Sequence, residues 1–236
     1  MNSYNITFKT NNLIIPINYH YQVQSLIYSI IKNGGCSELH DRDNKVKNFK
    51  YFTFSLLSGG SYNNKKLIFK SKMFLTVRIL DDTISEAFEK GINHELFFFN
   101  QKIDLLNLDM SNYNFLNNKY LIKLLSPINI DKTIDNIRIF YSPKNEKFQE
   151  LINQNLNEKY NNYYDSSNEI IISLNPVGDN KKYVTLYKKP NMFITGFNGY
   201  YLIQGDPKII EFLYYCGIGA RNSCGFGCFE VVEILR

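Results

Sequence analysis

Gly217-Ile-Gly-Ala-Arg-Asn-Ser-Cys-Gly-Phe-Gly227 (GIGARNSCGFG) gathers four of the chain's 13 glycines into one short stretch near the C-terminus. What flanks it decides how it is read. Before it, Pro207 introduces an apolar, helically spaced run from Lys208 to Cys216, and after it Cys228 to Leu235 (CFEVVEIL) has the composition of a strand. The glycines therefore sit between a helix and a strand. Glycine there permits positive φ and lets the backbone approach a ligand without a Cβ in the way. Backbone amides in such a loop can form an anion-binding concavity, and Arg221 adds a planar fork of donors suited to phosphate. A plain flexible turn is the alternative, but two Gly-x-Gly pairs exceed what one turn needs. The nucleotide-cofactor loops are excluded by context. A dinucleotide loop needs a strand before and a helix after, and a P-loop needs Gly-Lys-Ser or Gly-Lys-Thr.

Outward from the loop, the rest of the chain supplies an element order. Ser3 to Thr10 alternates as a strand, and Tyr19 to Lys32 places Val23, Leu26, Ile27, Ile30 and Ile31 at helical spacing before Gly34-Gly35. Lys50 to Leu57 and Met73 to Leu80 are aromatic and β-branched runs, joined by the polar segment SGGSYNNKK. Asp81-Asp82-Thr83 offers caps for a helix over Ile84 to Lys90, and a strand is expected around Glu95 to Leu108. The same order recurs from Lys119. Strands are expected at Tyr120 to Leu125, Glu169 to Leu174, Lys182 to Tyr187 and Met192 to Gln204, with a helix around Glu146 to Lys159. The expected fold class is α+β, two tandem ferredoxin-like (RRM-like) βαββαβ modules covering 1–118 and 119–236.

Composition bounds the function. The chain has 236 residues, 44% hydrophobic and 21% charged, which suits a folded protein of one large or two small domains. Asn and Lys are so abundant that single copies of either say little. With no apolar run of about 18 residues and no basic-then-apolar start, the expectation is a cytoplasmic protein that makes no use of a membrane. Cys36, Cys216, Cys224 and Cys228 contain no Cys-x-x-Cys pair and lack matching histidines, so they fit small packing residues rather than a zinc site; no metal and no cofactor is expected. The net charge of +5 is concentrated between Arg42 and Lys72, where eight basic residues face one acid, Asp43. Phosphate is the partner such a patch suits, the alternative being a solvated loop.

The order Gly217, Ile218, Gly219, then Arg221, then Gly225, Phe226, Gly227 resembles the C-terminal motif of the CRISPR-associated repeat-processing endoribonucleases of the RAMP superfamily. The N-terminal half resembles the same family through IPINYHYQVQSLIYSIIK, SELHD and FKYFTFSLL, in that order. Between about 100 and 190 the likeness rests on element order alone. The resemblance implies a tandem ferredoxin-like enzyme that cuts CRISPR repeat RNA without metal, the RNA 2′-hydroxyl attacking to leave 5′-hydroxyl and 2′,3′-cyclic phosphate ends. It places the family's tyrosine, histidine and lysine on Tyr28, His40 and Lys50.

That chemistry needs proton transfer and a cation for the phosphate. Histidine suits proton transfer near neutrality, and there are three: His20, His40 and His94. His20 and His94 fit surface or capping residues, and His40, in a loop directly before the basic window, is the one that the resemblance assigns to proton transfer. Tyr28 is read either as core with its hydroxyl at the rim or as a hydrogen-bonding partner of the 2′-hydroxyl or phosphate. Lys50 would stabilise the transition state, with Lys45 and Lys47 near enough in sequence to take its place. RNA backbone contacts are expected from Lys45, Lys47, Lys65, Lys66, Gly217, Gly219, Arg221, Gly225 and Gly227. Partners are CRISPR repeat RNA and, as a further possibility, a CRISPR effector complex, with the protein a monomer or homodimer. The competing function is a non-catalytic repeat-RNA-binding subunit of such a complex, which would keep the glycine loop but not need His40.

Overall fold

The computed structural model describes residues 1–36, 49–188 and 192–235. The first half runs β1 (Asn2–Lys9), β2 (Leu13–Pro16), α1 (His20–Asn33), β3 (Phe52–Phe54), β4 (Ser61–Asn63), β5 (Lys66–Phe69), β6 (Lys72–Ile79), α2 (Asp82–Gly91), β7 (Leu96–Phe98) and β8 (Gln101–Ser111). The alternation noted in the sequence orients β1, where Tyr4, Ile6 and Phe8 are buried and Asn5 and Lys9 are exposed. β1 pairs antiparallel with β6 on one side and β8 on the other, giving the order β3-β6-β1-β8-β7. Helix α1 buries Val23, Leu26, Ile27, Ile30 and Ile31 in the core that also holds Tyr4, Ile6 and Phe8. Asp81 caps α2, accepting from the Ile84 amide at 2.9 Å.

The second half runs β9 (Lys119–Leu124), β10 (Asp131–Ile134), β11 (Ile137–Phe140), α3 (Lys147–Tyr164), β12 (Ser173–Leu186), β13 (Phe193–Gln204), α4 (Pro207–Cys216) and β14 (Phe229–Ile234). A 3₁₀ turn over Asn222–Cys224 lies inside the glycine loop. The sheet order is β12-β13-β9-β14. In each half the first long strand lies centrally, β1 between β6 and β8 and β9 between β13 and β14. This is the βαββαβ topology the element order predicts. Asp206 caps α4 through the Lys208 amide, with Pro207 in the first turn.

Three expectations need correction. The polar segment between the two aromatic runs carries a hairpin, β4–β5, turning at Asn64-Lys65 and joined by β2 in a small separate sheet. The run from Glu95 is the hairpin β7–β8, turning at Phe99-Asn100. The expected strand at Lys182–Tyr187 falls in one long strand, β12, which takes in only Ser173 and Leu174 of the expected Glu169–Leu174 and carries a register shift between Val177 and Lys181. The segment before it is held by a helix instead of a strand. Gln149, Asn153 and Asn157, one on each turn of α3, hydrogen-bond the backbone of residues 170–174. Their side-chain amides offer a donor and an acceptor each, as a neighbouring strand would.

Arg78 of β6 ties the halves together. It is buried, lies over the Tyr214 ring at 3.5 Å from the centroid, and donates to the Phe229 carbonyl at the start of β14. Among the described residues no helix is long and apolar enough to cross a membrane.

The α3 amide ladder makes a measurable claim. Asn157 serves both the amide and the carbonyl of Ile170, at 2.8 and 2.7 Å. Asn157→Ala leaves both backbone groups without a protein partner and is expected to cost about 2 kcal/mol. Urea denaturation should show a lower midpoint with an unchanged slope.

Candidate functional site

The two halves meet where α1 packs on the glycine loop. His20, Gln24 and Tyr28 stand four residues apart, so they form one stripe along the helix. Each contacts the turn at Ser223–Cys224. His20 Nδ1 lies 3.0 Å from the Cys224 carbonyl, Gln24 Nε2 donates to the Ser223 carbonyl at 2.8 Å, and Tyr28 lies near the Ser223 side chain. Two residues beyond this turn, Thr53 of β3 donates to the Phe226 carbonyl at 3.0 Å.

The four glycines make this contact sterically possible. All have positive φ: 88° at Gly217, 75° at Gly219, 84° at Gly225 and 77° at Gly227. A Cβ on Gly225 would stand 2.3 Å from the Phe54 ring and 2.9 Å from His20 Nδ1, both in the other half of the chain. A Cβ on Gly227 would stand 2.0 Å from the Ile218 carbonyl. The amides of Gly217, Gly225 and Gly227 are turned inward, to the carbonyls of Leu213, Asn222 and Pro127. These three amides therefore serve the fold, and contact with an anion falls to other atoms of the loop.

Two cations secure the loop from behind. Lys159 of α3 is buried, and its Nζ reaches the Gly217 carbonyl at 2.7 Å, with the Gly219 carbonyl and Asn222 Oδ1 both at 3.0 Å. Three acceptors match the three protons of an ammonium, while burial pushes its pKa below the usual amine range. Arg221 grips Asp131 bidentately, Nε to Oδ1 at 3.0 Å and Nη2 to Oδ2 at 3.2 Å, and Arg138 shares that carboxylate. The fork read from the sequence as facing phosphate thus has two of its nitrogens on an internal acid.

His20 corrects its sequence reading outright. It is fully buried, stacked on Phe226 at 5.3 Å. A carbonyl can only accept, so Nδ1 carries the proton toward Cys224, and Nε2 accepts from the Tyr183 hydroxyl at 2.9 Å. Burial lowers its pKa to about 4 and keeps it neutral. With both nitrogens occupied, it has no position for proton transfer to a substrate. Cys216, pushed by burial up to about 11, is likewise held as a neutral thiol.

In front of the loop lies a cleft of about 180 Å³, lined among others by Lys50, Tyr51, Gly219, Arg221 and Ser223. A larger hollow of about 380 Å³ continues from it past Phe49, Lys132, Gln154 and Arg221. The structure thus brings Lys50, Arg221 and the glycine loop together at this cleft, while Tyr28 adjoins the loop near Ser223 and is not among the residues lining the cleft. Tyr28 is half-buried, its ring edge-on to Phe52 at 5.7 Å. Burial raises its hydroxyl to about 12, so it is a protonated donor at neutral pH. Lys65 and Lys66 sit apart on the β4–β5 turn. His40, Lys45 and Lys47 lie outside the described residues. His94 is exposed in the turn after α2 and does not line the cleft. Sequence reasoning missed Gln24 and Lys159 altogether; the spacing of Gln24 between His20 and Tyr28 was the signal available for the first.

Comparison with known proteins gives a consistent result. Residues 110–231 match the family described as CRISPR associated protein Cas6, C-terminal, and residues 14–105 match CRISPR-associated protein Cas6, N-terminal. A protein of Methanocaldococcus jannaschii named CRISPR-associated endoribonuclease Cas6 1 is 27% identical over 97% of this chain and 92% of its own length. A solved structure of a Cas6-related gene from Pyrococcus furiosus shares the fold with TM-score 0.83 and 19% identity, over 99% of this chain and 98% of that one. Another, described as a RAMP protein binding different RNA substrates, aligns with TM-score 0.75 and 18% identity over 99% of this chain and 100% of that one.

Two expectations test the clasp. Gly225→Val combines a forced positive φ with a clash against Phe54 and should lose about 3 kcal/mol or fail to fold. Gly178→Ala, at φ 67° with open space around it, should lose only about 1 kcal/mol in the same urea titration. His20 adds a pH dependence. Unfolded, it takes up a proton near its ordinary value of about 6.5, but folded only near 4. Its contribution is therefore full above about pH 6.5 and declines as pH falls toward 4, by up to about 3 kcal/mol. Across that window His20→Asn, which has no such proton to gain, should show a shallower loss of stability than the wild type.

Proposed function

Because the chain belongs to the Cas6 family of CRISPR-associated proteins, we propose that it is the metal-independent endoribonuclease that cuts CRISPR repeat RNA in precursor transcripts to release guide RNAs. Support comes from a relative named as an endoribonuclease that spans nearly the whole of both chains. The observation that carries the reading is the meeting of Tyr28 with Ser223 beside a cleft lined by Lys50 and Arg221. It joins residues from both halves at one place where a phosphate can be met by a hydroxyl donor and a cation.

The reaction needs little from the protein beyond placement and proton transfer. The RNA 2′-oxygen attacks the adjacent phosphorus, the bond to the 5′-oxygen breaks, and that oxygen takes a proton. The products are a 2′,3′-cyclic phosphate and a 5′-hydroxyl. With His20 sealed in the interface and His94 away from the cleft, His40 is the histidine left to move protons. Tyr28, protonated at neutral pH, donates a hydrogen bond to the 2′-hydroxyl or the phosphate and does not act as a base. Lys50 sets a positive charge against the phosphorane as charge grows on its oxygens. RNA affinity beyond the scissile phosphate is spread over Lys45, Lys47, Lys65 and Lys66, and the glycine loop forms the cleft wall through Gly219, Arg221 and Ser223. The binding-subunit alternative has less support, since both halves match this family and the relatives that span most of the chain are named endoribonucleases.

The purified protein should cleave its repeat RNA in excess EDTA, and a 2′-deoxy residue 5′ of the scissile phosphate should block the cut. His40→Ala should abolish cleavage with repeat affinity held within a few-fold, and Lys50→Ala should slow it by about 10². Full activity in His40→Ala would remove that residue from the mechanism, and an inactive wild type with tight repeat binding would turn the assignment to the binding subunit.

A further inference from the structure

Helix α3 carries five asparagines, and four of them have their side-chain oxygen engaged. Asn153 Oδ1 accepts from the Ile172 amide at 3.1 Å and Asn157 Oδ1 from the Ile170 amide at 2.8 Å. Asn161 Oδ1 accepts from the Ser166 hydroxyl and the Asn168 amide, and Asn162 Oδ1 from the Tyr51 hydroxyl at 2.6 Å. Asn155 differs. Its Oδ1 is buried, and no donor among the described residues reaches it. A buried acceptor without a partner destabilises a folded chain, so the fold itself gains nothing from an asparagine at this position.

The surroundings indicate what could supply the donor. Asn155 lines both the cleft of about 180 Å³ in front of the glycine loop and the hollow of about 380 Å³ that continues from it. Phe49, Ala220 and Arg221 are likewise common to the two, so these residues form the neck between them. The walls of the hollow differ in character. One is a single stripe of α3, made of Leu151, Gln154, Asn155 and Glu158, and it carries no cation; the other carries Lys132 and Arg221. Phosphate oxygens belong on the second wall, where Asp131 is already occupied by the guanidiniums of Arg138 and Arg221. An uncharged group with N–H donors of its own belongs on the first. A nucleobase has that character, with apolar faces for Leu151 and Phe49 and an edge on which donors and acceptors stand side by side.

We propose that the hollow seats an unpaired base of the repeat RNA next to the scissile phosphate, and that Asn155 is the residue that reads its edge. The proposal rests on the assignment of the scissile phosphate to the cleft beside Lys50. Rotation about the soft terminal torsion of Asn155 turns its amide into the hollow, where the oxygen accepts from a ring N–H or amino group and Nδ2 donates to the acceptor beside it. Because the oxygen lacks a partner in the free protein, a base that supplies the donor recovers what its burial costs. A base that presents an acceptor in that place leaves two unpaired groups facing each other. Discrimination follows from that difference, while contacts to phosphate treat all four bases alike.

The experiment varies the RNA and the protein together. Repeat RNAs carrying each of the four bases in turn at the two nucleotides flanking the scissile phosphate are compared on the full chain, by single-turnover cleavage at saturating protein and by the Kd of versions made uncleavable with a 2′-deoxy residue 5′ of that phosphate. The wild type should prefer one base at one of the two positions by about ten-fold. Asn155→Ala and Asn155→Leu should level that preference to within about three-fold and leave the response at the other position unchanged. Neither should lower the melting temperature, since each removes an acceptor without a partner, whereas Asn157→Ala, which breaks two hydrogen bonds to the backbone, should lower it. A wild type indifferent to the base at both positions, a preference that survives in both Asn155 variants, a loss spread evenly over all four bases, or a melting temperature lowered in both variants would overturn the role of Asn155 while leaving the cleavage assignment in place. A wild-type protein that neither cuts nor binds repeat RNA would instead overturn the endoribonuclease reading, and this subsite with it.

Discussion

Backbone carbonyls that leave water must find donors, and at the junction of the two βαββαβ units three within four residues do so from the opposite half. Ser223, Cys224 and Phe226 are served by Gln24, His20 and Thr53. Each such carbonyl left unpaired would cost about 1–3 kcal/mol, so the two units are locked in one mutual placement rather than merely leaning on each other. The glycines follow from this requirement. For side chains on α1 and β3 to reach the loop's main chain, the loop must present bare backbone, and Gly225 does so with its α-carbon against Phe54 and His20. Arg78 repeats the device at the far side of the junction, donating to the Phe229 carbonyl.

This explains which parts of the fold could be read from the residues. Alternation in β1 and the apolar stripe of α1 are local patterns, and both strand and helix stand where those patterns place them. The glycine loop's position between α4 and β14 was equally legible, as was its unusual backbone. Its immediate use was not. Positive φ and the lack of a Cβ serve a ligand and a closely packed side chain equally well, and the sequence carries no mark to tell them apart. The partners that decide are remote: His20 meets Tyr183 163 positions away, and Arg221 meets Asp131 90 positions away.

The abundant asparagines show the same limit from the other direction. In a chain so rich in Asn, any single copy is weak as a signal, yet Asn153 and Asn157 act as strand mimics for the segment leading into β12. A strand pattern at Glu169–Leu174 was present, and the backbone is extended enough to need strand-like partners. What the pattern could not specify was that α3 would supply them. The site divides similarly. Lys50 at the cleft and Tyr28 beside the loop each lie one or two residues from a recognisable core run, whereas Gln24 is a polar residue on a helix face whose partner is a loop about two hundred positions further on.

Charge at the cleft differs from charge along the chain. Lys159 is spent on holding the loop's carbonyls, and Arg221 shares Asp131 with Arg138, so neither enters the site as a free cation. Among the described lysines, Lys50 and Lys132 line the two hollows in front of the loop. A site with few cations among the described residues holds a polyanion weakly at the point of reaction and depends on charge elsewhere for affinity, the role proposed above for Lys45, Lys47, Lys65 and Lys66. Such a separation has a chemical benefit. Binding that is distant from the scissile phosphate stabilises substrate and transition state alike, so the few groups at the phosphate can be reserved for the charge and proton that appear only as the 2′-oxygen attacks. Rigidity matters for groups that act only as charge develops, because they must already be in place, and among the described residues the polar clasp between α1 and the glycine loop supplies it.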